Sequence, residues 1–152
     1  MVAARPLSVN NAPTFRVDPQ RLAAPSFAWP VVGPVTSDFT PDHPLGIDVG
    51  LALFPASSVR ASAGGIVVYV GGDPCCSYGY HVIVDHGNGY TTLYAHLSSF
   101  NVEPDQPVLK GQTLGTSGDT GFSTSEHLHF ELRHNEIRLD PRAYLVKDPL
   151  LN

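Results

Sequence analysis

The sequence predicts a mainly β fold: a single domain built on antiparallel sheets with short, turn-rich connections. Glycine and proline occur 14 times each while charged residues make up only 15% of the 152 positions, a balance that favours turns and strands over helices. Runs rich in β-branched and aromatic residues recur at strand length between Gly and Pro. The segment "HGNGY" places Gly87, Asn88 and Gly89 between two such runs, the signature of a hairpin over residues 81–97.

Residues 1–28 are rich in Pro, Ala and Asn without sustained periodicity and read as an N-terminal arm or linker. The folded unit is expected over residues 29–146, leaving 147–152 as a tail. It opens in "FAWPVVGPVTSDF", and strands are expected in "GGIVVYVGG" (64–72), "YHVIVDH" (80–86), "YTTLYAHL" (90–97) and "HLHFELR" (127–133), followed by "EIRLDP" (136–141). Because successive strand residues face opposite sides, Leu128, Phe130 and Leu132 fall on one face and His127, His129, Glu131 and Arg133 on the other. The same rule in 92–97 groups Leu93, Ala95 and Leu97 toward the core and sets Thr92, Tyr94 and His96 opposite.

Several classes of function are disfavoured by composition. A net charge of −5 with no basic run gives no phosphate-binding surface, so no nucleic-acid partner is expected. No apolar run approaches the ~20 residues of a membrane span, and the start of the chain as given has no apolar signal region. A monomer is expected. The two cysteines, Cys75 and Cys76, are adjacent. They cannot staple distant segments and lack the C-x-x-C spacing of zinc or redox motifs, so they read as loop thiols or a vicinal disulfide.

Histidine carries the chemical signal. Two imidazoles at i and i+2 on one strand face can approach one metal ion, but a catalytic zinc site takes three protein ligands and an open position. The stretch "TPDHPLGIDVG" offers His43 and Asp48 as further ligands. Taken singly, each has a structural reading: His43 in a turn, Asp48 as a turn acceptor, His96 on an exposed strand face. His81, His86 and His134 sit in or beside turns and read as structural or solvated. Alternation does not say which of His127 and His129 binds metal.

"HPLGID", "TTLYAHL", "KGQTLGTSGDTGFST" and "EHLHFEL", in this order, resemble the lysostaphin-type, LytM-like zinc metallopeptidases that cut peptides of bacterial peptidoglycan. The resemblance runs from about Trp29 to Tyr144. It implies a groove on a sheet face in which His43, Asp48 and His129 hold Zn²⁺, His127 acts as general base, and His96 orients water or stabilises the transition state. Tyr94 and Glu131, on the inferred histidine face, are expected near substrate or behind the ligands. It also implies peptidoglycan peptides as partners and an extracellular or cell-envelope location.

One departure from the commonest family form stands out. That form has His four residues before Asp, whereas His43 and Asp48 are five apart and Pro44 occupies the position of the usual histidine. A one-residue bulge in the Pro-containing loop is expected to return His43 to the metal. Two other readings follow from the same residues: a non-catalytic family member that binds peptidoglycan or regulates another cell-wall hydrolase, and a carbohydrate-binding β-module. The last predicts aromatic platforms, yet Trp29 is the only tryptophan.

Overall fold

The computed structural model describes residues 25–146, so most of the expected arm and the tail 147–152 lie outside the described residues. In chain order the strands are β1 (Val35–Ser37), β2 (Ile47–Gly50), β3 (Ser58–Arg60), β4 (Gly65–Gly71), β5 (Tyr80–Gly87), β6 (Tyr90–Phe100), β7 (Pro107–Val108), β8 (Thr113–Ser117), β9 (His127–His134) and β10 (Ile137–Leu139). Among the described residues there is no α-helix, only a 3-10 turn at Pro141–Ala143. The main sheet runs β1-β2-β9-β6-β5-β4-β7, with β10 on β9 and the β3–β8 pair joined through β6. Every strand pair is antiparallel.

Local chemistry explains the elements that position the site. Asn88 and Gly89 both take positive φ, 53° and 85°, as the tight turn between β5 and β6 requires. On β9 the expected alternation holds: Leu128, Phe130 and Leu132 are sealed from solvent. Leu128 and Phe130 join Ile47 and Val49 of β2, Val82 and Val84 of β5, Val59 of β3 and Leu114 of β8 in one apolar core. Phe27 is fully buried in a smaller cluster with Tyr90 and Leu132. The core therefore lies on one side of the main sheet, and His127, His129 and Glu131 project from the other.

The face assignment on β6 needs correction. Tyr94 stands opposite Phe130 and Thr92 opposite Leu132, so both point to the core side, while Leu93 and Ala95 stand beside Glu131 and His129. Tyr94 is fully buried, with its ring centroid 5.3 Å from that of Phe130. Two causes defeat alternation here. Residues 92–97 are buried on both faces, so polarity does not alternate. In addition, His96 has φ 65°, and the pairing of β6 is irregular around it. This bulge lets Tyr94 and Leu97 share the core and turns His96 toward the other side.

Candidate metal centre

The centre begins with strand register. Antiparallel pairing of β2 with β9 sets Asp48 directly opposite His129 and Gly50 opposite His127. Asp48 Oδ1 lies 2.7 Å from His129 Nδ1. Just before β2 the chain passes so close to β9 that a Cβ on Gly46 would sit 2.2 Å from the Phe130 carbonyl oxygen. Glycine there lets the loop carrying His43 descend onto the sheet. A bridge between Thr40 and His43 closes the loop, and His43 Nε2 comes to 3.2 Å from Asp48 Oδ2.

The donor atoms fit a borderline divalent cation such as zinc. Ligand atoms of His43, Asp48 and His129 all lie within 4.8 Å of one another. His43 Nδ1 lies 3.2 Å from the Asp38 carbonyl oxygen, an acceptor only, so Nδ1 carries the hydrogen and Nε2 keeps its lone pair. In the neutral ring, Nε2 and the Asp48 carboxylate present two lone-pair donors close enough to share one cation. Two imidazoles and one carboxylate are the ligand types of catalytic zinc sites.

Protonation is set by neighbours. His129 bridges two carboxylates, with Nδ1 on Asp48 and Nε2 2.9 Å from Glu131 Oε2. Burial disfavours its charge, but the hydrogen bonds and charges of Asp48 and Glu131 outweigh burial and raise it to about 9 without metal. Burial pushes Asp48 upward, yet the hydrogen bond from His129 and the neighbouring imidazoles hold it below the usual carboxylate value. The same contest on Glu131, burial against hydrogen bonds from His129, Tyr78 and Arg133, leaves it at about 2.

His127 and His96 complete the imidazole cluster, their ring centroids 4.6 Å apart. His127 Nδ1 donates to the Ser125 carbonyl at 2.9 Å, leaving Nε2 bare and 3.9 Å from Asp48 Oδ1. His96 Nδ1 donates to the Thr120 carbonyl at 2.7 Å and likewise leaves Nε2 bare. Burial lowers His96 to about 4, only partly offset by the Thr120 bond, so it is neutral near pH 7. A hollow of about 210 Å³ is lined by Leu45, Ser77, Tyr78, His96, Phe122 and His129. A second, of about 340 Å³, is bordered by Thr36, Asp48, Gly50, Leu53, Ser125 and His127. Each hollow thus has residues of the imidazole cluster in its wall.

Behind His129 lies a polar cluster that sequence reasoning recovers only in part. Glu131 is fully buried and accepts from Tyr78 Oη at 2.5 Å, Arg133 Nη2 at 2.6 Å and Arg138 Nε at 3.3 Å. Tyr78 also stacks on His129, centroids 5.8 Å apart. Arg133 shares the expected face of Glu131, and Arg138 stands opposite Arg133 across the β9–β10 pair, so strand parity could have found both. Tyr78 sits in a loop, where no periodicity marks it. Tyr94 is absent from this cluster: its hydroxyl accepts from the Ser62 N–H at 2.9 Å inside the core. The remaining histidines serve local structure, His86 bonding Gly64 and Thr92, His81 stacking on Tyr69, and His134 stacking on Tyr90.

Comparison with known proteins gives the family. The sequence pattern of peptidase family M23 matches residues 44–141. The DD-carboxypeptidase/endopeptidase Mpg of Neisseria meningitidis is 41% identical over 93 residues, 61% of this chain and 21% of that protein. The murein hydrolase activator NlpD of Escherichia coli is 33% identical over 120 residues, 79% of this chain and 31% of that protein. The chain thus spans less than a third of the length of these curated relatives. A zinc containing peptidase from Vibrio cholerae superposes with a TM-score of 0.67 at 29% identity, over 76% of this chain and 39% of that one. With its matched region covering the strands that carry Asp48, His96, His127 and His129, the chain belongs to peptidase family M23.

Proposed function

We propose that this chain is a zinc-dependent endopeptidase that hydrolyses peptide bonds in the stem or cross-bridge peptides of peptidoglycan, at the cell envelope or outside the cell. The observation that carries the reading is the convergence of His43, Asp48 and His129 beside two imidazoles with bare Nε2 atoms. Zinc held by those three residues supplies Lewis acidity toward water and an amide carbonyl.

The chain's own residues do the rest. A peptide substrate enters beside the hollows that His96 and His129 on the one hand and Asp48 and His127 on the other help to line, its scissile amide over the imidazole cluster. His127 Nε2 takes a proton from the attacking water and returns it to the leaving amine, its ring fixed by the Ser125 carbonyl. His96, neutral and bare at Nε2, accepts a hydrogen bond from that water and orients it. Glu131 holds the His129 ring through Nε2, so that Nδ1 faces the metal beside Asp48.

The test is metal content together with mass spectrometry of products from defined muropeptides. One zinc per chain and a cleaved peptide bond are expected, both lost in His129→Ala. Full hydrolysis by that variant would overturn the reading. A second reading, a non-catalytic regulator of another cell-wall hydrolase, is favoured by Pro44 at the usual ligand position and by the likeness to NlpD. It predicts peptidoglycan or hydrolase binding with no stoichiometric zinc and no cleavage.

A further inference from the structure

We propose that the Cys75–Cys76 disulfide is a thiol-exchange site, and that its redox state sets how firmly the loop beside the metal centre holds Tyr78 against Glu131. The two cysteines are disulfide-bonded to each other and exposed in the connection between β4 and β5. A bond between adjacent cysteines closes an eight-membered ring around their shared peptide, removing backbone freedom from the loop.

That loop forms part of the site. The Pro74 carbonyl accepts from Gly121 N–H, and the Ser77 carbonyl accepts from Phe122 N–H, both at 2.8 Å. The Tyr78 carbonyl accepts from His96 N–H at 2.9 Å. The Tyr78 hydroxyl reaches Glu131, which in turn holds His129. Ser77, Tyr78 and Phe122 all line the hollow next to His96 and His129. The loop is also tightly wound: Ser77 and Gly79 take φ of 55° and 63°, and Gly79 packs against the Thr120 and Gly121 backbone. A change at residues 75 and 76 therefore reaches both the wall of that hollow and the residue behind the metal ligand through a few bonded contacts.

The chemistry is two-electron exchange with an external dithiol. Its thiolate attacks one sulfur of the pair, forming a mixed disulfide and releasing the other cysteine as thiolate. The second thiol of the reagent then displaces the first cysteine. The dithiol ends as a disulfide, and Cys75 and Cys76 end as two thiols after protonation. Both cysteines are exposed residues, which gives the reagent access to the loop. With the ring open, the 75–76 peptide regains its freedom and Tyr78 is held less firmly.

Three measurements on the purified chain test this. Thiol alkylation read by mass spectrometry should label neither cysteine before treatment and both after brief exposure to a dithiol reductant that is then removed. Hydrogen exchange should then quicken in residues 72–79 and 119–122 but not in β9. Hydrolysis, where present, should fall by about fivefold, the size expected for one weakened hydrogen bond, and recover on reoxidation. The double variant Cys75→Ser, Cys76→Ser should match the reduced protein and ignore the reductant. The proposal rests on the site described above only for the activity arm. Labelling and exchange read the loop directly, so a catalytically silent protein still tests it. Equal exchange rates in oxidised, reduced and double-variant proteins would overturn it, as would labelling of both cysteines before reduction.

Discussion

Asp48 and His129 stand 81 positions apart in the chain yet directly opposite each other across β2 and β9, with Asp48 Oδ1 2.7 Å from His129 Nδ1. Without metal this contact and the one to Glu131 hold His129 charged up to about pH 9, against an ordinary value of 6.5. A raised folded-state value means that the charge stabilises the metal-free fold fully below pH 6.5, and that this contribution is lost as pH rises through 9. Zinc bound at His129 under the proposed function would have to displace the same proton. Its affinity should therefore rise about tenfold per pH unit between these limits and flatten above them. Chelator competition across that range reads the slope, and a flat profile would contradict the His129 assignment.

Glu131 links His129 to the two arginines. Glu131→Gln removes a buried charge while leaving Arg133 and Arg138 without their anionic acceptor. Because Arg133 and Arg138 are partly exposed and stay solvated, the expected stability loss is that of weakened charge-assisted hydrogen bonds, about 1–3 kcal/mol, and losing an outer partner of a metal-bound imidazole weakens metal binding about 10–100-fold. Denaturant unfolding and zinc titration of the same variant should show both losses. A variant with unchanged zinc affinity would remove Glu131 from the positioning role.

How much of this was legible beforehand depends on the physics of each strand. On β9 one face is packed and the other carries the site, so a two-residue period separates Leu128 and Phe130 from His127, His129 and Glu131, and the sequence pattern agrees with the fold. On β6 the same rule failed. Leu93 and Ala95 are buried against the site side while Tyr94 is buried in the core, and a strand apolar on both faces carries no parity signal. The bulge at His96 then shifts the count by one. Tyr78 was invisible for a different reason: its contact with Glu131 spans 53 positions from a loop, and no local pattern encodes a loop's destination.

His43 carries the consequence of the longer spacing to Asp48. The loop between them reaches the centre with His43 Nε2 3.2 Å from Asp48 Oδ2, its ring fixed through Nδ1 by the Asp38 carbonyl. His43→Ala should weaken zinc binding by at least about 100-fold, the upper end of what outer partners alone cost. The side chain is partly exposed and outside the core, so the unfolding midpoint of the metal-free protein should hardly move. Unchanged zinc affinity would assign the third ligand to another residue.

Gly46 tests the close approach that brings this loop in. Its missing Cβ faces the Phe130 carbonyl oxygen at 2.2 Å, a backbone atom of β9 that cannot rotate away. Gly46→Ala must push β2 off β9, at an expected cost of about 1–3 kcal/mol from overpacking. The Asp48–His129 register lies two residues on, so zinc affinity should fall together with stability. Thermal unfolding with and without zinc separates the two effects, and a neutral result in both would mean that the strands tolerate the separation.

Tyr94 gives the sharpest separation of fold from function. Its ring packs on Phe130 inside the core, and its hydroxyl accepts hydrogen bonds from the Ser62 N–H at 2.9 Å and from Thr92 Oγ1 at 2.7 Å. Burial pushes the phenol up to about 12, so it remains protonated at any working pH. Tyr94→Phe keeps the packing but leaves the buried Ser62 N–H without its acceptor, an expected loss of about 1–3 kcal/mol. A hydroxyl on the core side of the sheet cannot reach a substrate lying over His127 and His129 on the other. The variant should therefore unfold at lower denaturant while zinc affinity and kcat/KM for muropeptides stay at wild-type values. A large fall in kcat with unchanged stability would return Tyr94 to the histidine face and reverse the parity assigned to β6.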